Sequence, residues 1–257
     1  MTKMKTLITL ALVCFLSISV NAQVKKPVVK PASTIGKKAT TTKTTVKKIN
    51  TVKKVPVVKK EVKLPGTRVK ITTDSGVMVI RLYDKTPQHR DNFIKLANEH
   101  FFDSLLFHRV ISQFMIQGGD PQSKYAQPGQ MLGSGDVGYT IPAEFDTTFI
   151  HKKGALAAAR TENPAKASSG CQFYIVQGKT WTDADLSGME MQQGRKYNPV
   201  QRNIYKTIGG TPFLDMGYTV FGEVESGLNV IDKIASVPKA PGDRPVGDVR
   251  MKIEVIK

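Results

Sequence analysis

Apolar and polar positions change rhythm along the chain, and each change marks an element. Residues 68–73 and 77–83 are rich in β-branched and aliphatic side chains and are separated by Asp74-Ser75-Gly76, which predicts two strands joined as a hairpin. Past them, Thr86 can cap a helix and Pro87 fits its first turn. Phe93, Leu96, Ala97, His100 and Phe101 recur there on one face, so a helix that seals a core is expected. The run 107–119 reads as strand and turn, 154–160 is small and Ala-rich, and 170–176, 214–224 and 249–256 read as further strands. Residues 228–235 have the spacing of a short amphipathic helix. Within 170–176, period-two alternation places Gln172 and Tyr174 on one face and Phe173 and Ile175 on the other. Many short strands with two helices predict a mainly β fold, a closed antiparallel barrel that removes sheet edges and is capped by the helices.

Between Trp181 and Phe213 the pattern turns helical again. Thr182-Asp183-Ala184-Asp185 and Asn198-Pro199 are helix starts, Val200 and Ile204 are spaced to share one surface, and Gly209-Gly210 ends the excursion. An ordered insertion over about 182–212 is expected, not a second domain. Two glycine motifs carry no phosphate chemistry. Gly133, Gly135 and Gly138 fit a dinucleotide fingerprint by letter, but Tyr-Thr-Ile-Pro follows where a helix N-terminus would have to face the pyrophosphate. Gly178-Lys179-Thr180 imitates the end of a phosphate loop, yet Phe173 stands where its first glycine would be.

The first quarter of the 257-residue chain has neither rhythm. Residues 1–22 carry Lys3 and Lys5, an apolar run over 7–20, and Val-Asn-Ala before Gln23, the layout of a secretory signal peptide; export is the expectation, to a periplasm first, with secretion or envelope association as the alternatives. Cys14 lies within that run without the small preceding residue of a lipoprotein site. Residues 23–63 hold thirteen lysines against Glu61, repeated with Val, Thr and Pro, and cannot bury enough apolar area to offset chain entropy. This tail is expected to be disordered, either a solubilising spacer or a weak electrostatic contact for anionic membrane or envelope polymer. It holds +12 of the chain's +17, which leaves about +3 for residues 64–257 and gives no reason to expect nucleic-acid binding. Without residues 1–22, Cys171 is the only cysteine, so no internal disulfide is available and a single core must supply stability.

Residues 107–120 read Phe-His-Arg-Val-Ile-Ser-Gln-Phe-Met-Ile-Gln-Gly-Gly-Asp. A strand buried on both faces would be nearly continuous aliphatics and a half-exposed one would alternate, but here Arg109 and Gln117 interrupt an apolar run, as suits a pocket more than a core. Gly118-Gly119 then permits a tight turn or a close backbone approach. From its Phe-His-Arg opening to its Phe-Met-x-Gln-Gly-Gly-Asp close, the stretch resembles the signature of cyclophilin-type peptidyl-prolyl cis/trans isomerases. The resemblance covers roughly residues 66–257 apart from the insertion.

The resemblance implies an eight-stranded barrel and an enzyme for proline-containing polypeptides, without cofactor or metal, acting as a monomer. It makes Arg109 the catalytic guanidinium, supported by Gln117. Phe114, Met115, Tyr174 and Leu214 match the proline pocket, and Ala159, Arg160 and Gln172 match the wall that holds the substrate backbone. Phe213 and Tyr218 stand at the rim, where many relatives have Trp and His, while Tyr174 replaces a usual Phe and Arg160 a usual Asn. The insertion leaves and returns beside Tyr174 and Leu214, so it is expected to border the groove. Read alone, Arg109 suits a structural ion pair, and its spacing to Phe114, Met115 and Gln117 is what favours catalysis. His108 reads as structural, Cys171 as a packing residue and Trp181 as packing for the insertion. The rival reading is a binding module that holds Pro-containing segments without turning them over, with the basic tail as effector.

Overall fold

Alternation dictates the first hairpin. β1 (Arg68–Thr73) and β2 (Gly76–Leu82) pair antiparallel through Asp74-Ser75, and their inward residues Val69, Ile71, Met78, Ile80 and Leu82 are fully buried. The computed structural model describes residues 66–256, so the expected signal peptide and basic tail lie outside the described residues. After the hairpin come α1 (Pro87–Asn98), β3 (Phe107–Ile111), β4 (Met115–Gly118), β5 (Thr140–Ile141), β6 (Ala155–Ala158), β7 (Ser168–Ser169) and β8 (Phe173–Val176). α2 (Asp183–Gln193), α3 (Pro199–Thr207), β9 (Val220–Ser226), α4 (Leu228–Ala235) and β10 (Met251–Ile256) complete the chain.

Eight of the described strands form one antiparallel sheet in the order β10-β1-β2-β9-β6-β8-β4-β3, and β5 pairs with β7 apart from it. The sheet curls around a core in which Phe93 of α1 lies 4.9 Å from Phe102, 5.3 Å from Phe173 and 5.5 Å from Phe221, centroid to centroid. Each such ring contributes about 1.5–3 kcal/mol by burial. α4 adds Val230, Ile231, Ile234 and Ala235 to the same cluster.

Closure is less complete than the expected barrel. The edge strands β3 and β10 meet through one bridge, Leu106 to Arg250, with Phe107 N–H donating to Val249 O at 2.9 Å and Met251 N–H to Leu105 O at 2.8 Å. β3 is five residues long and is approached through Ser104, which at φ 68° still donates its N–H to Met251 O at 2.9 Å, so β3 and β10 share only a short seam and the sheet is a curled half-barrel joined at one end.

Other expectations also change. α1 starts on Pro87, but Thr86 makes no side-chain cap, its hydroxyl donating to Tyr83 O at 3.3 Å instead. The helix ends at Asn98, before a left-handed His100, so Phe102 and not His100 fills the core. The strand expected from Leu214 begins at Val220: Pro212 fixes a 3-10 turn over Pro212–Leu214, and Met216 at φ 60° follows. In the insertion both capping boxes form, on Thr182 with Asp185 and on Asn198 with Gln201. The buried face of α3, however, is Gln201 and Tyr205, while Val200 is 68% exposed. Gln201 is drawn inward because its amide donates to Thr147 O at 2.8 Å.

Candidate active site

Period two carries the candidate residues to the face opposite the core. Along β8, Phe173 and Ile175 enter the core, whereas Tyr174 and Val176 join Met115, Ala155, Ala157 and Val220 in a second apolar cluster. Strand register then lines up Arg109, Gln117, Tyr174, Ala157 and Val220 as one row across β3, β4, β8, β6 and β9. Strand spacing near ~4.8 Å sets the step between neighbours, so a cation, an amide and an aromatic ring stand side by side.

The tip of the β3–β4 hairpin is fixed by its backbone. Gln113 adopts φ 62°, Phe114 N–H donates to Ile111 O at 3.1 Å, and Phe114 O accepts from Gln177 and Gly178 N–H, each at 3.0 Å. Phe114 is thereby held over a slot of about 130 Å³ lined with Arg109, Met115, Gln117, Ala159, Arg160, Tyr174, Leu214 and Tyr218. A cavity of roughly 150 Å³ accommodates a six-membered carbocycle, so this one suits a ring of proline's size.

A directed amide chain orients the cation. The Gln172 amide nitrogen donates to Gly135 O at 2.7 Å and Gly133 O at 3.0 Å, so Gln172 Oε1 faces Gln117 and accepts from its Nε2 at 3.0 Å. That leaves Gln117 Oε1 to accept from Arg109 Nη1 at 3.3 Å. One of the five guanidinium donors is thus engaged by Gln117 at the lip of the slot. The glycine loop that resembles a dinucleotide fingerprint has no following helix and instead anchors Gln172. Gly119 makes the approach possible: at φ 92°, a Cβ there would stand 2.2 Å from Cys171 O.

On the opposite wall Arg160 is committed to the segment that carries Gly217 and Tyr218. Its Nε donates to Gly217 O at 3.0 Å, and its guanidinium lies 4.7 Å over the Tyr218 ring, which meets Tyr174 edge-on at 5.9 Å. A second cleft of about 510 Å³ shares Arg109 and Gln117 with the slot and continues past His108, residues 129–134 and 240–242, and Arg244. His108 is 3% exposed, neither ring nitrogen has a hydrogen-bond partner, and burial pushes its pKa down to about 4. Cys171 is buried, and burial pushes its thiol up to about 11, far from a reactive thiolate.

The family model described as cyclophilin type peptidyl-prolyl cis-trans isomerase/CLD matches residues 68–255. The chain belongs to the cyclophilin family. A putative peptidyl-prolyl cis-trans isomerase of Staphylococcus aureus is 34% identical over 195 residues, covering 76% of this chain and 93% of that protein. A putative bifunctional phosphatase/peptidyl-prolyl cis-trans isomerase of Streptococcus pyogenes is 36% identical over 187 residues, which are 72% of this chain and 37% of that protein's length. In fold, the crystal structure of a Cryptosporidium parvum cyclophilin type isomerase superposes with a TM-score of 0.57 at 20% identity, covering 74% of this chain and 98% of that one.

In this cyclophilin, nine of the eleven site residues read from the sequence meet in one slot and two do not. Gln172 stands behind Gln117, its amide engaged with three protein partners. Phe213, 46% exposed, sits outside the slot against Phe114 at 5.7 Å and Trp181 at 6.2 Å. The sequence reading missed His151 and Asp215, both buried, whose only signal is that a His and an Asp lie next to the apolar segments flanking the slot.

Proposed function

We propose that the chain accelerates cis/trans rotation about peptide bonds preceding proline, and that it does so on exported polypeptides during their folding. The observation that carries the reading is a guanidinium, oriented by the Gln117–Gln172 amide chain, at the mouth of an apolar slot of proline's size. Uncatalysed, the rotation faces a barrier of ~18–20 kcal/mol because resonance stiffens the amide. As the bond twists, the prolyl nitrogen regains its lone pair and becomes an acceptor, so a donor aimed there binds the transition state more strongly than either ground state. Phe114, Met115 and Leu214 exclude water from the ring, and Gln117 and the wall at Ala159 and Arg160 hold the flanking backbone. A cyclophilin type isomerase of similar fold was solved in the presence of the dipeptide Ala-Pro, which is in keeping with a proline-containing substrate. Export rests on the pattern of residues 1–22.

A protease-coupled isomerisation assay on a proline tetrapeptide tests the assignment. Arg109→Ala should lose on the order of 10² to 10³ in kcat/KM while retaining its fold by circular dichroism and measurable peptide affinity. Arg109→Lys should recover little, because a compact ammonium does not reproduce the planar multi-donor group. Phe114→Ala should weaken affinity as well as turnover. Equal rates for wild type and Arg109→Ala would leave a noncatalytic binding module as the reading.

A further inference from the structure

The wall of the slot is connected to the insertion by buried polar groups. The Tyr174 hydroxyl, on the ring that lines the slot, lies 2.9 Å from His151 Nε2, and His151 Nδ1 lies 2.7 Å from Asp215 Oδ1. Asp215 Oδ1 also accepts from His151 N–H at 2.8 Å, and its Oδ2 accepts from the Tyr205 hydroxyl at 2.6 Å and stands 3.4 Å from Arg195 Nη1. Tyr205 is on α3 and Arg195 on the link between α2 and α3, so both belong to the insertion. His151 and Asp215 side chains are 0% and 1% exposed.

Such a carboxylate is tolerable in the interior only while its lone pairs are occupied. The insertion supplies the Tyr205 hydroxyl as a donor and the Arg195 guanidinium as a neighbouring positive charge, and the segment before β6 supplies His151. In a neutral imidazole whose Nδ1 proton faces Asp215, Nε2 is left to accept, and the proton it takes is that of Tyr174. Burial holds the Tyr174 and Tyr205 hydroxyls well above the usual phenol range, so both remain donors. The rings are aligned to match, Tyr174 and His151 stacking 13° apart at 6.0 Å. A Phe at position 174 could fill the slot wall but could not make this bond.

We infer that Tyr205, Asp215 and His151 are positioning residues for the isomerase, and that through them the insertion sets where the Tyr174 ring stands in the proline slot. The inference rests on the isomerase reading for its effect on turnover, but not for its effect on the shape of the slot. Its backbone support is equally close: Gly210, at φ 152°, lies where a Cβ would be 2.2 Å from His151 O, and it joins the insertion's return to the strand leading into β6.

A double-substitution cycle tests it. Tyr205→Phe removes one hydroxyl far from substrate. It should raise KM for a proline tetrapeptide roughly 3- to 10-fold, within the range for coupled buried neighbours, with kcat changed less than about twofold. In a Tyr174→Phe background, where the link is already cut, the same change should alter KM less than about twofold. A purely structural Tyr205 would lower Tm without changing KM, or change KM equally in both backgrounds, and either result overturns the inference. Should Tyr205→Phe fail to fold, Arg195→Gln, at a more accessible side chain, should show the same dependence on Tyr174. If wild type does not isomerise the peptide, the isomerase reading fails by itself, and the cycle is then read in the Kd of the same peptide, where the same coupling is expected and additivity would overturn it.

Discussion

His108 shows what burial does to a single titratable group. In the unfolded chain an imidazole titrates near ~6.5, whereas in the fold burial holds it at about 4. Between those values the unfolded state binds a proton that the folded state refuses, so stability is fully present above pH ~6.5 and is lost as pH falls toward 4. The difference is on the order of 3 kcal/mol, and His89, lowered chiefly by burial as well, acts in the same direction. Urea unfolding of wild type at pH 7.5 and pH 4.5 should show this loss, and His108→Leu should show it reduced by on the order of 2–3 kcal/mol. The same loss in both proteins would mean that other groups carry the acid sensitivity. Residues of this kind are only half legible in sequence. Arg109, Phe114, Met115 and Gln117 stand within nine positions and announce themselves by their chemistry. His151 and Asp215 are 64 residues apart, and a lone charged residue beside an apolar run looks solvated until the fold brings its partner.

At the scale of elements, local signals were readable wherever they act locally. Both capping boxes of the insertion were legible because a cap and its partner are three residues apart. The face that α3 buries was not, because Gln201 turns inward to reach Thr147, a contact across the fold. The strand expected at Leu214 failed for a related reason: alternation is indifferent to a proline two positions earlier and to a carboxylate taken by His151. Loss of the α2 cap should cost about 1 kcal/mol, so Thr182→Ala should raise hydrogen exchange in the first turn of α2 roughly 5-fold while leaving β1 and β2 amides unchanged. Faster exchange throughout the sheet would show instead that the insertion and the sheet open together.

At the scale of the molecule, the alternating strands and two capping helices predicted a closed antiparallel barrel, and closure proved less complete because it depends on a short seam between two edge strands that are far apart in sequence, around the Leu106–Arg250 bridge. Charge has a comparable division. Residues 23–63 carry the basic excess and residues 64–257 the chemistry. Deleting residues 23–63 should therefore leave tetrapeptide isomerisation within about twofold of wild type and should weaken co-sedimentation with anionic vesicles at low salt, where charges act over longer range. Equal sedimentation of the two proteins would assign the tail a spacer role.

The row of Arg109, Gln117 and Tyr174 faces away from the core, buried at its Tyr174 end and open to solvent at Arg109. A bond gripped there needs no free chain end. A polypeptide hundreds of residues long can lay one proline into the notch from the side, as a rope is dropped over a cleat, while both lengths continue outward into whatever structure they have already formed.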